Sequence, residues 1–244
     1  MDILDKVKKL IDYHKKGLLG GEFMPEDNKP NFSKDSEQCF VYFTLPMALN
    51  YQRNSYKLWE GALNTFLDKQ TNFVFCMKDV LLCDEDVLRN ALIKYKVALQ
   101  PNKQPKIWKT LCNTFVNDFG GSIKVFFENF DNDVVLIKNY IQTHKKDFPY
   151  LSGTKILNYW LYVMSIYTDV KLKNRNEISI APDTHVLQAS VKLGVITENE
   201  LSKSNIREIV SQRWRDILKD SGIYPIDIHT PFWLWSRNGF QIKL

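Results

Sequence analysis

The sequence predicts an all-α fold, and three observations carry that reading. Apolar residues recur at helical spacing along most of the 244-residue chain. Glycine and proline cluster mainly between the periodic segments, where they punctuate helices. No segment shows the sustained apolar–polar alternation of a half-buried strand.

The elements follow in order. Ile3, Val7, Leu10 and Ile11 mark a first helix, ended by Gly17, Gly20 and Gly21. The polar segment from Glu22 to Glu37, with Pro25 and Pro30, reads as a loop. Cys39–Leu49 is apolar enough for helix or strand; helix is favoured, although Pro46 opposes it. Helical periods recur over Tyr56–Leu67, Glu85–Leu99, Pro105–Phe119, Ser122–Phe130 and Val134–His144. Gly120 and Gly121 separate two of these, and Pro105 suits a first helical position, where its missing N–H costs little. A long helix then runs from Lys155 to about Tyr167, followed by a polar connection over Thr168–Ser179. Asp183 begins a helix closed near Gly194, and Thr197 with Glu200 matches a capping box. Ile206, Ile209, Val210, Trp214, Ile217 and Leu218 line one face of the next helix, which Gly222 ends. Thr230 and Pro231 read as N-cap and first-turn proline of a short aromatic helix, Phe232–Trp235.

This length supports one large domain or two small ones. A hydrophobic content of 44% with 25% charged residues excludes a disordered chain. The longest apolar run, Tyr159–Met164, is far short of the ~20 residues that cross a bilayer, and the N-terminus has no signal-peptide h-region. A cytoplasmic protein is the expectation. Cys39, Cys76, Cys83 and Cys112 form no C-x-x-C pair, so they are read as buried, reduced thiols and not as a zinc or iron–sulfur site. The net charge of +5 is uneven: residues 141–244 hold 14 basic and 10 acidic groups, a mild bias toward a polyanionic partner.

Lys155 stands at the start of the most apolar helix, a position where the positive end of the helix dipole disfavours a cation by up to ~1 kcal/mol. That conflict, with desolvation by Ile156, Leu157, Tyr159 and Trp160, would lower an amine's pKa and favour a nucleophile. A lysine snorkelling from a core helix explains the position equally well from local sequence. Asp183 is likewise an ordinary N-cap or a charge partner for an amine.

Gly153-Thr-Lys155 before an apolar helix, with Pro182-Asp183-Thr-His185-Val186 at a second helix start, resembles the paired motif of the helix-hairpin-helix DNA glycosylases. The archaeal-type 8-oxoguanine DNA glycosylase branch is the more similar one. Lys155-Ile-Leu-Asn-Tyr159 resembles its catalytic segment, the connection to Asp183 is long as in that branch, and Asp220–Trp235 is similar to its final stretch. The likeness covers about residues 150–237; before that only Lys57-Leu-Trp59 suggests a counterpart. A typical hairpin has two glycines, whereas Phe148–Lys155 keeps only Gly153, and His229 stands where the branch has an acid.

The resemblance implies a single catalytic domain over 1–244, two-lobed with a central cleft. The N-terminal segment and C-terminal helices would form one lobe and the middle of the chain the other. It implies base excision on damaged double-stranded DNA by a monomer, nucleoid-associated, with no metal and no cofactor. A flipped nucleotide would be attacked at C1′ by Lys155, giving a Schiff base and then strand cleavage, with Asp183 stabilising the developing positive charge. Trp59, Tyr159, His229 and Trp233 would line the base pocket, and Gly153, Thr154 and His185 would contact the DNA. Trp160 and Trp235 read as core, and Lys103, Lys106 and Lys109, spaced around Trp108, as a solvated face or as contacts to a phosphate backbone. Three alternatives stay open: another damaged base, a free nucleoside, or a non-catalytic DNA-binding relative.

Overall fold

The computed structural model describes residues 2–20 and 24–244, so the expected helix end at Gly21 and the loop start at Glu22 lie outside the described residues. Helix makes up 63% of the chain and no strand forms among the described residues, so the class is all-α. An isolated bridge pairs Asp133 with Lys173. The chain divides into two compact units, residues 23–174 and residues 1–22 with 175–244.

In the second of these units, α1 (Ile3–Lys15) is capped by Asp2. It ends where Gly17 turns left-handed and Leu18 N–H bonds back to the Tyr13 carbonyl. Gly20 is favoured by its left-handed backbone at φ 99°, and a Cβ there would also press on the Asn238 side chain.

In the 23–174 unit, a 3-10 turn at Pro25–Asp27 precedes α2 (Glu37–Leu49), and every residue from Cys39 to Leu49 is buried. The insecure reading of this segment resolves as helix despite Pro46. Removing one backbone bond in a helix costs ~3 kcal/mol, while each large side chain fully buried contributes ~1.5–3 kcal/mol, and α2 buries eleven consecutive residues. Around it stand α3 (Ser55–Leu67), α4 (Met77–Leu82), α5 (Glu85–Lys94), α6 (Gln104–Phe119), α7 (Ile123–Asn129), α8 (Val134–Thr143) and α9 (Thr154–Tyr167). Glu37 ties α2 to α7, its carboxylate accepting from Ser122 Oγ and Ile123 N, both at 2.6 Å. Two turns further along the same face, Trp160 of α9 donates Nε1–H to Thr44 Oγ1 of α2 at 3.0 Å, and Thr44 itself donates to the Phe40 carbonyl.

Two helix readings need correction, and an expected capping box forms. The helix expected over Glu85–Leu99 ends at Lys94, because Lys96 turns left-handed at φ 60°. The carbonyls released there are taken by Arg53, whose guanidinium donates to Lys96 O and Val97 O at 2.6 Å each. The capping box at Thr197 and Glu200 forms, but opens only a 3-10 turn, Glu198–Ser202. The aromatic helix begins at His229, so Pro231 lies in its first turn as read, but Thr230 is inside the helix and not its cap. Not all the cysteines are buried either: Cys39 and Cys112 are, Cys76 is exposed and Cys83 partly so. Lys103 and Lys106 are exposed, whereas Lys109 is half-buried and donates to the Cys83 carbonyl.

The unit formed by residues 1–22 and 175–244 is completed by α10 (Thr184–Lys192), α11 (Ile206–Leu218) and α12 (His229–Arg237). Buried Trp214 of α11 donates to Ser190 Oγ of α10 at 2.8 Å, and Ser190 donates on to Val186 O at 2.7 Å. Arg213 forks onto Glu200 while also donating to Val195 O at 2.8 Å, and this guanidinium holds the Glu200 carboxyl well below its ordinary range.

Gln104 is the buried polar hub of the larger unit, 1% exposed. Its carbonyl accepts from Leu99 N at 2.5 Å and Gln100 N at 2.9 Å, and its amide donates to Leu49 O at 3.1 Å. Gln104→Leu leaves these backbone groups without partners, at ~1–3 kcal/mol for each one kept from water. Urea unfolding is expected to show a loss of about 3 kcal/mol; a loss below about 0.5 kcal/mol would mean that the loops do not depend on this side chain.

Candidate functional site

The turn Phe148–Gly153 delivers the chain into α9. Phe148 and Leu151 anchor it in the core, both 0% exposed. Its amides are consumed internally: Leu151 N bonds Pro149 O, Ser152 N bonds Phe148 O and Gly153 N bonds Tyr150 O, at 2.7, 2.9 and 2.9 Å. Gln142 of α8 pins the turn by donating to Ser152 O at 2.7 Å. Gly153 has an ordinary φ of −64°. Its missing side chain matters through packing, since a Cβ would sit 3.1 Å from Tyr150 O. The left-handed position is held by Tyr150 at φ 61°, a conformation that costs a bulky residue ~1–3 kcal/mol. The Gly153 N–H is bonded within the turn, so a DNA contact at Gly153, as the resemblance implies, would be made by other atoms of the residue.

Gly153 also offers α9 no side-chain cap, so the positive end of a 14-residue helix is left without one at Thr154 and Lys155. Both residues are exposed. The expected desolvation of Lys155 by Leu157 and Trp160 does not hold, since those side chains turn into the core. Lys155, Tyr159 and Tyr162 instead share a helix face at i, i+4 and i+7.

Tyr159 leads to a residue that the sequence reading missed. Its hydroxyl hydrogen-bonds the carboxyl of Glu26, in the 3-10 turn Pro25–Asp27, and Glu26 is 2% exposed. Burial pushes this carboxyl up to about 7. One of its oxygens, Oε2, has no hydrogen-bond partner. Beside it, Asp27 accepts from Tyr167 Oη at 2.8 Å, and Tyr167 stacks on Phe43 with centroids 4.7 Å apart. Phe43 in turn meets Trp59, whose centroid lies 5.6 Å away. Trp59 is wholly buried on α3, which packs against the 3-10 turn, and its Nε1 is a second buried polar atom without a partner. The segment around Glu26 reads as a polar loop, and only Pro25 before an acid hinted at an ordered turn.

In the other unit, Asp183 is the N-cap of α10, its Oδ1 accepting from Val186 N at 3.0 Å. His185 is half-buried, with Nδ1 3.1 Å from Ser236 Oγ and its ring meeting Trp233 edge-on at 5.3 Å. Trp233 is 8% exposed and carries the Arg237 guanidinium over its ring at 5.1 Å. His229 opens α12 and is 4% exposed. His185 and Trp233 are thus brought together within this unit, as are Tyr159, Glu26 and Trp59 in the other. Trp160 is core as expected, and Trp235 is nearly so, donating to Ile242 O at 2.9 Å.

No family model matches the chain, and no curated protein matches it.

The buried acid has a consequence for stability. Glu26 binds its proton more tightly folded, at about 7, than in an unfolded chain near 4.5, so between these values the native state holds the extra proton. Its carboxyl is therefore best tolerated below about pH 4.5, and stability is lost as pH rises through 7, by about 3 kcal/mol at most. Glu26→Gln should flatten this slope and be the more stable protein at pH 8. Denaturant titrations of both proteins from pH 5 to 8 test it, and parallel curves would show that the acid is not buried.

Proposed function

We propose that the chain is a DNA glycosylase with associated lyase activity, of helix-hairpin-helix type and two-lobed, excising an oxidised purine, 8-oxoguanine, through a lysine Schiff base. The observation that carries the proposal is an exposed lysine in the uncapped first turn of α9, one helical turn before Tyr159 and its buried acid. An uncapped helix end favours a phosphate, and so supports bringing a nucleic-acid backbone to Lys155. It also disfavours the ammonium form of the lysine, as an amine nucleophile requires.

In this mechanism Lys155 Nζ attacks C1′ of the flipped nucleotide and the base departs with the glycosidic electron pair. The ring opens to an imine on Lys155, and loss of a C2′ proton expels the 3′ phosphate by β-elimination. Asp183 offsets the positive charge that develops on the sugar. Trp59 Nε1 can donate to a purine edge, and Glu26 Oε2 can accept or, when protonated, donate. Leaving either atom buried and unbonded costs ~1–3 kcal/mol, so a bound base that completes them gains discrimination. Tyr159, His229 and Trp233 are proposed to contact the base, and Thr154 and His185 the phosphate backbone. The partner is damaged double-stranded DNA.

Borohydride trapping on duplexes with a single 8-oxoguanine opposite each normal base tests the proposal. A covalent adduct should form with the wild type and vanish in Lys155→Gln, and Asp183→Asn should lower turnover by about a hundredfold or more while binding persists. Base release without trapping would remove the lyase step. Tight binding without release from any damaged duplex would replace the enzyme by a binding protein.

A further inference from the structure

The hairpin turn carries a feature that neither the lysine nor the buried acid uses. Tyr150 holds the left-handed position of the turn at φ 61°, where glycine would sit without strain. Its ring is stacked on Tyr51, from the loop between α2 and α3, with centroids 5.3 Å apart and planes at 17°. Tyr51 is 46% exposed. The Lys103 ammonium lies over the Tyr150 ring at 5.0 Å, and Tyr150 Oη reaches Gln100 Oε1 at 3.4 Å. Three separate stretches of chain thus meet at one surface point.

That meeting is built, not incidental. Buried Gln104 bonds Leu49 O at one end of the Tyr51 loop and the Leu99 and Gln100 amides beside Lys103. Arg53, at the other end of the same loop, bonds the carbonyls of Lys96 and Val97. Gln142 and the core side chains Phe148 and Leu151 fix the turn that bears Tyr150. A left-handed tyrosine is retained in a turn whose amides are already spent. Along the chain, residues 95–108 carry Lys96, Lys103 and Lys106 and no acid, while Glu85 lies near Lys106.

We infer that the Tyr51–Tyr150 stack is a platform for an unpaired nucleobase of a DNA strand whose phosphates are neutralised by Lys103 and its neighbours. A rigid aromatic face next to fixed cations matches the alternation of flat bases and anionic backbone in a single strand. Lys103 on the ring of Tyr150 makes the stack cationic, which suits a partner that is itself both aromatic and anionic. The turn therefore contacts DNA by ring stacking in place of the backbone amides it has used internally. The inference rests on the proposed function only in taking DNA as the partner, and it adds a second contact away from the reacting lysine.

The test compares a fluorescein-labelled oligothymidylate with a strand of equal length made of abasic residues, by fluorescence anisotropy. Wild type should bind the base-bearing strand about tenfold more tightly, the expected scale for one stacked base. Tyr51→Leu should abolish that preference and leave abasic-strand binding unchanged. Tyr150→Gly should do the same, and misfolding does not account for its effect, because glycine adopts this backbone conformation freely. Lys103→Ala should weaken both strands alike and reduce the salt dependence. Equal binding of the two strands by the wild type, no binding of either, or a preference that survives both tyrosine substitutions would overturn the inference. Lysine trapping is scored separately: base-dependent binding without trapping removes the enzyme and keeps the platform, and trapping without base-dependent binding does the reverse.

Discussion

The larger unit depends on a helix that has no outside. Along α2 every side chain from Cys39 to Leu49 is buried, so each neighbouring helix is positioned by its fit to this one element. In so apolar a setting the few polar atoms fix the geometry. Thr44 is one of them: it bonds its own helix at Phe40 O and receives the indole N–H of Trp160. That bond sets the position of α9, and with it the face that carries exposed Lys155 and the half-buried Tyr159 and Tyr162. Glu37 ties the start of the same helix to α7. A chemistry placed on α9 therefore inherits its precision from α2, a rigid support for groups at a helix start.

The helical class was readable because the apolar spacing that produces it is local. The failures share one cause, a partner distant in sequence. Nothing within Glu85–Leu99 announces that Arg53 will take the carbonyls at Lys96 and Val97 and stop the helix early. Pro46 opposed a helix by a local rule that the burial of α2 outweighs. Glu26 stands in a segment with the composition of a loop, and its burial follows from Tyr159, more than a hundred residues away. Of the candidate site residues, Asp183 was legible as a helix cap because capping is a three-residue interaction. The tight packing of His185 on Trp233 and Ser236 was not, because it arises between α10 and α12.

The turn Phe148–Gly153 places a tyrosine where glycine would sit without strain. The turn keeps its left-handed residue but fills it with Tyr150, and it uses Gly153 for clearance beneath the Tyr150 carbonyl. The amides of Leu151, Ser152 and Gly153 close the turn on itself, and the start of α9 carries no side-chain cap from Gly153. The proposed lysine chemistry and the proposed base stacking would fall in two neighbouring parts of one short segment.

Among the described residues no helix is long and apolar enough to cross a membrane. The central claim concerns one amine, and the most direct measurement of it is where the sugar becomes attached. After borohydride reduction of the complex with 8-oxoguanine duplex, nuclease and protease digestion and tandem mass spectrometry locate the sugar remnant on the chain. The account predicts that it lies on Lys155, in the peptide that begins α9. A remnant on any other lysine or on the terminal amine, or no covalent product with any damaged duplex, would contradict it.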